Sequence, residues 1–403
     1  MQIDRIETLT QFDQLRASWD VVYHHDPQAH VFVSWLWLRG WFELTPYRWL
    51  VLAVRPGPGS PYVAFLPLVS RGPRLAGIQL FDLLTMGGQP LAPYTGFVCL
   101  PAYEPAALAG LAGYIQQELT WVNFRMSEVL DSRLKTFLQA FPRDRFTVET
   151  SPGMPSLFIP LPESWEQYLE ASLSKNTRKK LRRHTRQLES LPGFRTTEIQ
   201  ATTAKADIDL LLSLWQQRWG PKPMAPWLDK IFHHCFKHNT LWLKILWDGS
   251  TPIAASVGMF DHCKKKFYGF IFGGNADYND WSPGKVTLGY ELQDAIAQGC
   301  QVYDFLAGAG DYKFSLGAQE RTTFNVIITP TDLPRRALNR GLFRLEHGGN
   351  ILRSKLGKLK RVDRVKRLWF AGVTLIKRVQ ASTGLLNLLL AANELAEAGY
   401  LAY

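Results

Sequence analysis

The chain reads as an α/β protein of two similar domains followed by a basic helical tail. Three observations predict this. At 403 residues it is too long for one ordinary core. Residues 1–160 and 161–330 each show strands, a hairpin turn with Gly and Pro, a further strand, a helix and a strand, although no sequence identity joins the two halves. From 331 to 403 the pattern turns helical in period and basic, and it ends in the Leu/Ala-rich stretch Leu385–Tyr403.

In the first region Phe32–Glu43 is aromatic-rich and predicts a buried helix. Arg48–Val54 and Tyr62–Ser70 form a strand pair around the turn RPGPGSP, and Ile78–Thr85 is a third strand. A helix fits Pro105–Leu119 and a strand Trp121–Val129. Two short strands, Phe146–Glu149 and Leu157–Ile159, flank SPGMPS. In the second region helix Glu163–Glu189 precedes strand Phe194–Ile199 and the helices Lys205–Trp219 and Trp227–His238. Strands Leu241–Trp247, Ile253–Asp261 and Lys264–Gly273 follow. A Ser-Pro-Gly turn then starts helix Val286–Gln298, a strand carries Val302–Phe305, a Gly-rich loop holds Asp311, Tyr312 and Lys313, and Thr322–Thr329 is the last strand.

Fourteen Trp and 23 Phe imply large aromatic cores or greasy clefts. Four scattered cysteines without CxxC spacing argue against a disulfide framework and for a reducing compartment. Met1–Arg16 is polar and mixed in charge, unlike a secretory leader, and no apolar run approaches the roughly 18 residues that span a bilayer. The net charge of +11 sits in two segments. Arg335–Arg378 carries 14 Lys/Arg against two acids, and Ser174–Ser190 carries seven against Glu189, so the remaining body is mildly acidic. Charge localised in this way points to polyanionic partners for those segments.

Strand, glycine turn and helix start together build an anion site, because the first turn of a helix has unpaired N–H groups and a positive dipole end. Ser282-Pro283-Gly284-Lys285 after an apolar strand ending in Gly273 and Gly274 fits that pattern, with the N–H groups of Gly284, Lys285 and Val286 as donors; the same residues also suit a plain capped helix. Asp304 is a catalytic carboxylate or a strand-end hydrogen-bond acceptor. Tyr312 is a proton donor to a thiol leaving group or a packing residue, and Lys313 an oxyanion or carboxylate partner or a snorkelling side chain. In Ser172–Leu188, Leu173, Leu181 and Leu188 share one face and bases cover the others, which favours a phosphate-rich ligand or anionic surface over a solvated helix. The tail Arg353–Arg378 alternates bases with Leu, Val, Trp369 and Phe370, as an interfacial amphipathic helix or a helix packed on the body does. His233, His234 and His238 lack a third ligand, so no metal is expected.

The segments LSKNTRKKLRRHTRQLE, SPGKVTLGYELQDAIAQG and VYDFLAGAGDYKFSLGAQ, in this order, resemble the CelD/BcsL-type acyltransferases found with bacterial cellulose and exopolysaccharide synthesis. That group sits in the GNAT superfamily and is similar to the Fem aminoacyl ligases. The resemblance covers roughly residues 15–330, with the specific motifs in the second half. It implies tandem GNAT domains with mixed, mainly antiparallel sheets flanked by helices, at 1–160 and 161–330, and an acyl-donor cleft between splayed strands of the second. Carried over by position, the Ser282 turn with Gly284, Lys285, Val286 and Thr287 meets the pantetheine pyrophosphate. Asp304, Asp311, Tyr312 and Lys313 fall at the acceptor cleft. The GNAT signature Q/R-x-x-G-x-G/A is only partly kept in SPGKVTLG, which leaves an aminoacyl-tRNA donor open.

The expectation is an N- or O-acyltransferase at the cytoplasmic face, peripheral to the membrane, with no permanently bound cofactor and with acetyl-CoA or another acyl-CoA as co-substrate. Its acceptor is an amine or hydroxyl of a saccharide or lipid-linked envelope precursor. Lys175, Arg178 and Arg182 hold the acceptor's anionic groups. The rivals are a Fem-like transferase acting from aminoacyl-tRNA and a non-catalytic scaffold docked on the membrane through residues 335–378.

Overall fold

The computed structural model describes residues 1–332 apart from 73, 76–77, 80–81 and 309. The expected basic tail, including 335–378, lies outside the described residues.

Thirteen strands of the described residues join in one mostly antiparallel sheet flanked by helices. One strand order occurs twice in it. Gln2–Ile6, Arg48–Arg55, Ala64–Arg71 and Leu83–Met86 pair antiparallel in turn; the chain then crosses over through helix Glu104–Glu118 and returns as Asn123–Val129, parallel to Leu83–Met86. Phe194–Glu198, Leu241–Asp248, Thr251–Asp261 and Lys266–Gly274 repeat the meander. Helix Pro283–Ala297 crosses over to Val302–Ala307, parallel to Lys266–Gly274. Parallel neighbours need such a crossover, which is why each parallel pair flanks a helix.

The two halves are sewn together at the sheet centre. The last strand of the described residues, Gln319–Pro330, lies between Asn123–Val129 and Phe146–Pro160, antiparallel to both, and Phe146–Pro160 passes on to Val302–Ala307. The sequence predicts two short strands around SPGMPS; the structure has one 15-residue strand there. Its prolines survive because the ladder to Gln319–Pro330 shifts register between Thr322 and Phe324, opposite Pro155 and Pro152.

Local rules explain the other departures. The predicted helix Glu163–Glu189 is two helices, Trp165–Ala171 and Lys175–Glu189. Leu173 is buried at the break and the Ser174 hydroxyl accepts the Thr177 N–H as a cap. Ser34 caps Trp35–Leu44 in the same way, so the aromatic helix starts three residues later than predicted. The glycine loop after Val302–Ala307 folds into the short helix Asp311–Phe314.

Both sheet faces are buried. Along Arg48–Arg55, Trp49, Val51 and Ala53 enter one cluster, and Leu50, Leu52 and Val54 enter another with Leu108, Leu111 and Ile115 of helix Glu104–Glu118. The first cluster is shared between the halves: Trp19, Phe32, Trp37 and Trp41 pack with Ile208, Leu211, Phe232 and Tyr268. Helix Ala204–Trp219 approaches Lys266–Gly274 so closely that a Cβ on Gly273 would lie 2.6 Å from the Trp215 nitrogen and 2.7 Å from the Leu214 Cβ. Among the described residues no helix is long and apolar enough to cross a membrane.

Gly273→Ala should destabilise the fold by about 1–3 kcal/mol through overpacking against helix backbone. A urea-unfolding midpoint equal to wild type would show that the helix can yield.

Candidate functional site

The parallel strands Lys266–Gly274 and Val302–Ala307 pair only at Lys266↔Val302, Phe267↔Tyr303 and Tyr268↔Asp304. Beyond that they part. Lys266–Gly274 stays with Thr251–Asp261 up to Gly274, and Val302–Ala307 stays with Phe146–Pro160. Local chemistry makes the wedge. Leu306 takes φ +61°, a left-handed turn that a β strand does not hold unaided, and its N–H is bound by the Asp304 carboxylate at 2.8 Å. The ladder to Phe146–Pro160 shifts register over the same residues, between Asp304 and Ala307. Gly269 sits where the strands separate, and a Cβ there would lie 2.2 Å from the Tyr303 hydroxyl.

On one side of the parting stands the start of helix Pro283–Ala297. Ser282 has φ 52° and ψ 50° and offers no side-chain cap, and Pro283 occupies the first turn. The Lys285 and Val286 N–H groups turn back to the Ser282 carbonyl at 3.0 and 3.4 Å. Ser282, Gly284 and Lys285 reach the surface, whereas Val286 is buried with Leu188 and Ile253. Thr287 is fully buried, its hydroxyl donating to the Pro283 carbonyl at 2.8 Å. The Phe272 ring lies against Gly284, where a Cβ would meet it at 3.3 Å. The Arg218 guanidinium lies 5.7 Å from the Phe272 ring and 5.4 Å from the exposed Trp219 ring. Sequence reading passes over Arg218, because a single base at a helix end carries no motif.

The basic helix Lys175–Glu189 packs on this same helix. Leu181 faces Gly289, Leu188 joins Val286, and the Tyr290 hydroxyl donates to Glu189 at 2.6 Å. His184 is buried in the contact, and that burial, with Lys285, Arg183 and Lys180 nearby, lowers its pKa. Lys175 and Arg182 are exposed and Arg178 is half-buried; among the described residues none of the helix's seven bases forms an ion pair.

Asp304 is buried at the point of parting. Its carboxylate pairs with the Arg321 guanidinium and accepts the Tyr94 hydroxyl at 2.9 Å as well as the Leu306 N–H. Asp311 and Tyr312 are exposed at the head of Asp311–Phe314. Desolvation and the Glu291 carboxyl push the Tyr312 phenol up, while Arg218 pulls it down. Lys313 is buried: its ammonium donates to the Gly308 carbonyl at 2.8 Å and lies 5.3 Å from the Phe305 ring, so it closes the glycine loop.

A further group was invisible to motif reading. Glu291, buried in helix Pro283–Ala297, accepts hydrogen bonds from the Ser256 and Tyr303 hydroxyls, directly behind Gly269. Among the described residues no cation pairs with it, and burial raises its pKa to about 7. In sequence it is one polar residue on an amphipathic helix. Only the fold turns it inward.

The native pKa of Glu291 exceeds its unfolded value of about 4.5, so the native state holds its proton more tightly. Its contribution to stability is complete below that unfolded value and is lost as pH rises through about 7. The loss should be on the order of 3 kcal/mol. Glu291→Gln should flatten the decline in urea midpoint between pH 5 and 8; an unchanged slope would exclude Glu291 as its source.

A family model described as an acetyltransferase (GNAT) domain matches residues 175–314, which include the basic helix, the wedge and the glycine loop. No curated protein matches the sequence. The crystal structure of FemX is similar with TM-score 0.58 at 13% identity, covering 81% of this chain and 97% of that one. The C-terminal domain of a putative lysylphosphatidylglycerol synthetase from Agrobacterium fabrum has TM-score 0.52 at 10% identity, covering 79% and 92%. A conserved protein of unknown function from Bacteroides thetaiotaomicron has TM-score 0.51 at 14% identity, covering 82% and 100%. The fold is GNAT-like, and the wedge lies inside the segment that the GNAT-domain model matches.

Proposed function

We propose that this chain transfers an acyl group, acetyl first among the candidates, from the thioester of coenzyme A to an amine or hydroxyl of an exopolysaccharide or cell-envelope precursor. The observation that carries the reading is the wedge at Tyr268 and Asp304 beside an uncapped helix start. The GNAT match supports acyl transfer; the exopolysaccharide or envelope acceptor rests on the resemblance to the CelD/BcsL type. The Gly284 N–H, with the Lys285 and Arg218 charges, would receive the pyrophosphate; the Lys285 and Val286 N–H groups already turn back to the Ser282 carbonyl. The thioester would then lie in the wedge, its developing oxyanion met by N–H groups on the freed edge of Lys266–Gly274.

The acceptor attacks the thioester carbonyl, the C–S bond breaks, the thiolate takes the Tyr312 hydroxyl proton, and the proton shed by the acceptor passes to solvent, from which the Tyr312 phenolate is reprotonated. Holding both reactants in line is the chief source of rate. Asp304 already serves three partners, which favours an orienting role through Tyr94 and Arg321 over that of a free base. Lys313, engaged by Gly308, supports the loop beneath Tyr312. Lys175, Arg178 and Arg182 hold anionic parts of the substrates. The protein acts at the cytoplasmic face of the membrane, with the basic tail as its contact to anionic lipid.

A second reading, aminoacyl transfer from tRNA, is favoured by the seven unpaired bases beside the helix start and by the likeness to FemX. Tight tRNA binding that weakens steeply with salt would support it. Radiolabelled acetyl-CoA separates the readings, and absence of any coenzyme A binding would leave a non-catalytic scaffold. Tyr312→Phe should lower kcat roughly 100-fold with acetyl-CoA affinity unchanged; full activity in that variant removes Tyr312 from the chemistry.

A further inference from the structure

On the face of the wedge opposite helix Pro283–Ala297, polar groups gather that the fold leaves unused. Strand alternation puts Lys266, Tyr268 and Phe270 on that face and Phe267 and Gly269 on the other. Tyr268 is 1% exposed, and the Val31 backbone approaches its hydroxyl without closing a hydrogen bond. His30 is 3% exposed and leaves both ring nitrogens unpartnered; the Thr95 backbone approaches it without closing a hydrogen bond. Both side chains surround the Phe32 ring, at 5.9 Å for His30 and 5.4 Å for Tyr268. Lys266, half-buried on the same strand, forms no hydrogen bond or ion pair among the described residues.

Buried polar atoms in native proteins are almost always paired, so a cluster of unpaired ones marks a place for water or a ligand. The charges choose between ligands. The acids near the cluster are already engaged: Asp304 by Arg321, Tyr94 and the Leu306 N–H, Asp261 by Tyr23 and the Lys264 N–H, and Asp131, which lies beside Gly96 as His30 does, by Arg133. The Lys266 ammonium has no such partner. Burial first, and then the Lys266, Arg321 and Arg133 charges, lower the His30 pKa to about 3, whereas at Tyr268 burial, Asp261 and Asp304 push the phenol up against Arg321. Burial and then Arg321 lower the pKa of Lys266. A desolvated place whose unpaired donors stand beside the unpaired Lys266 ammonium suits an anion. The Arg321 side chain, 25% exposed and stacked 5.5 Å from the Tyr94 ring, keeps one edge of the cluster open to solvent.

We propose that His30, Lys266, Tyr268 and Arg321 form a binding site for an anionic oxygen group, a carboxylate or a phosphate, carried by the acyl acceptor. The word acceptor rests on the acyl-transfer reading; the anion site does not. Direct transfer requires the acceptor to enter the wedge from the side away from the donor turn, and this cluster lies on that side.

The test is an NMR titration of the full chain with inorganic phosphate and, separately, acetate, at fixed ionic strength against chloride, following the histidine ring C–H signals. The signal absent from His30→Gln should shift saturably. Lys266→Gln should weaken the apparent affinity roughly tenfold, and Lys205→Gln, a change on a distant exposed helix, should leave it as in wild type. Saturation by phosphate alone identifies a phosphate-bearing acceptor, and by acetate alone a carboxylate-bearing one. If neither anion saturates, or folded Lys266→Gln binds as tightly as wild type, the site holds only water and the proposal is overturned. Should Lys266→Gln fail to fold, Tyr268→Phe decides, since it removes a hydroxyl with no protein partner: an affinity equal to wild type refutes the site. Acetyl-CoA binding measured on the same samples reports on the donor side alone, so either result can fail while the other stands.

Discussion

The arrangement of the second half depends on what the Asp304 carboxylate holds. It fixes the Leu306 N–H in a left-handed turn and so carries Val302–Ala307 away from Lys266–Gly274. A buried carboxylate is costly unless paired and hydrogen-bonded, and Asp304 has both kinds of partner in Arg321 and Tyr94. Those partners come from strand Gln319–Pro330 and from the first half of the chain. The wedge is therefore closed off by long-range contacts, and it forms only when the whole sheet does.

The same dependence explains the continuous sheet. Gln319–Pro330 lies among strands of the first half, and Phe146–Pro160 runs on into the second. Arg321 reaches Asp304 because its strand is registered opposite Ser156, whose own neighbour on the far side is Ala307. A shift of one residue in that ladder would turn Arg321 to the opposite face. The shared aromatic core around Phe32 and Trp37 holds the two halves at the spacing this register needs.

Much of the fold was legible because its signals are local. The apolar runs of Arg48–Arg55, Leu241–Asp248 and Thr251–Asp261 read directly as strands, and Gly and Pro marked their turns. The helix after Ser282-Pro283-Gly284 was legible from its start signal, and the basic helix from its charge. What misled was also local: Pro152 and Pro155 read as a break between strands, and only their place opposite a register shift lets one strand pass through. Glu291, His30 and Arg218 gave no signal, because a lone polar residue has the same appearance on a solvated face and at a buried site.

The sequence by itself determined the α/β class, the loose repetition of strand and helix signals in the two halves, the helix start at Ser282-Pro283-Gly284 and the concentration of charge on Lys175–Glu189, since each follows from residue type and short-range spacing. Tertiary structure alone decided that Asp304 is triply engaged, that Lys313 is spent on the Gly308 carbonyl, and that Thr287 is sealed inside. It also decided that unpaired donors gather around Phe32. The reason is physical: solvent access and partner identity set what an ionisable group does, and both are fixed by how the whole chain packs, as when Tyr94 meets Asp304.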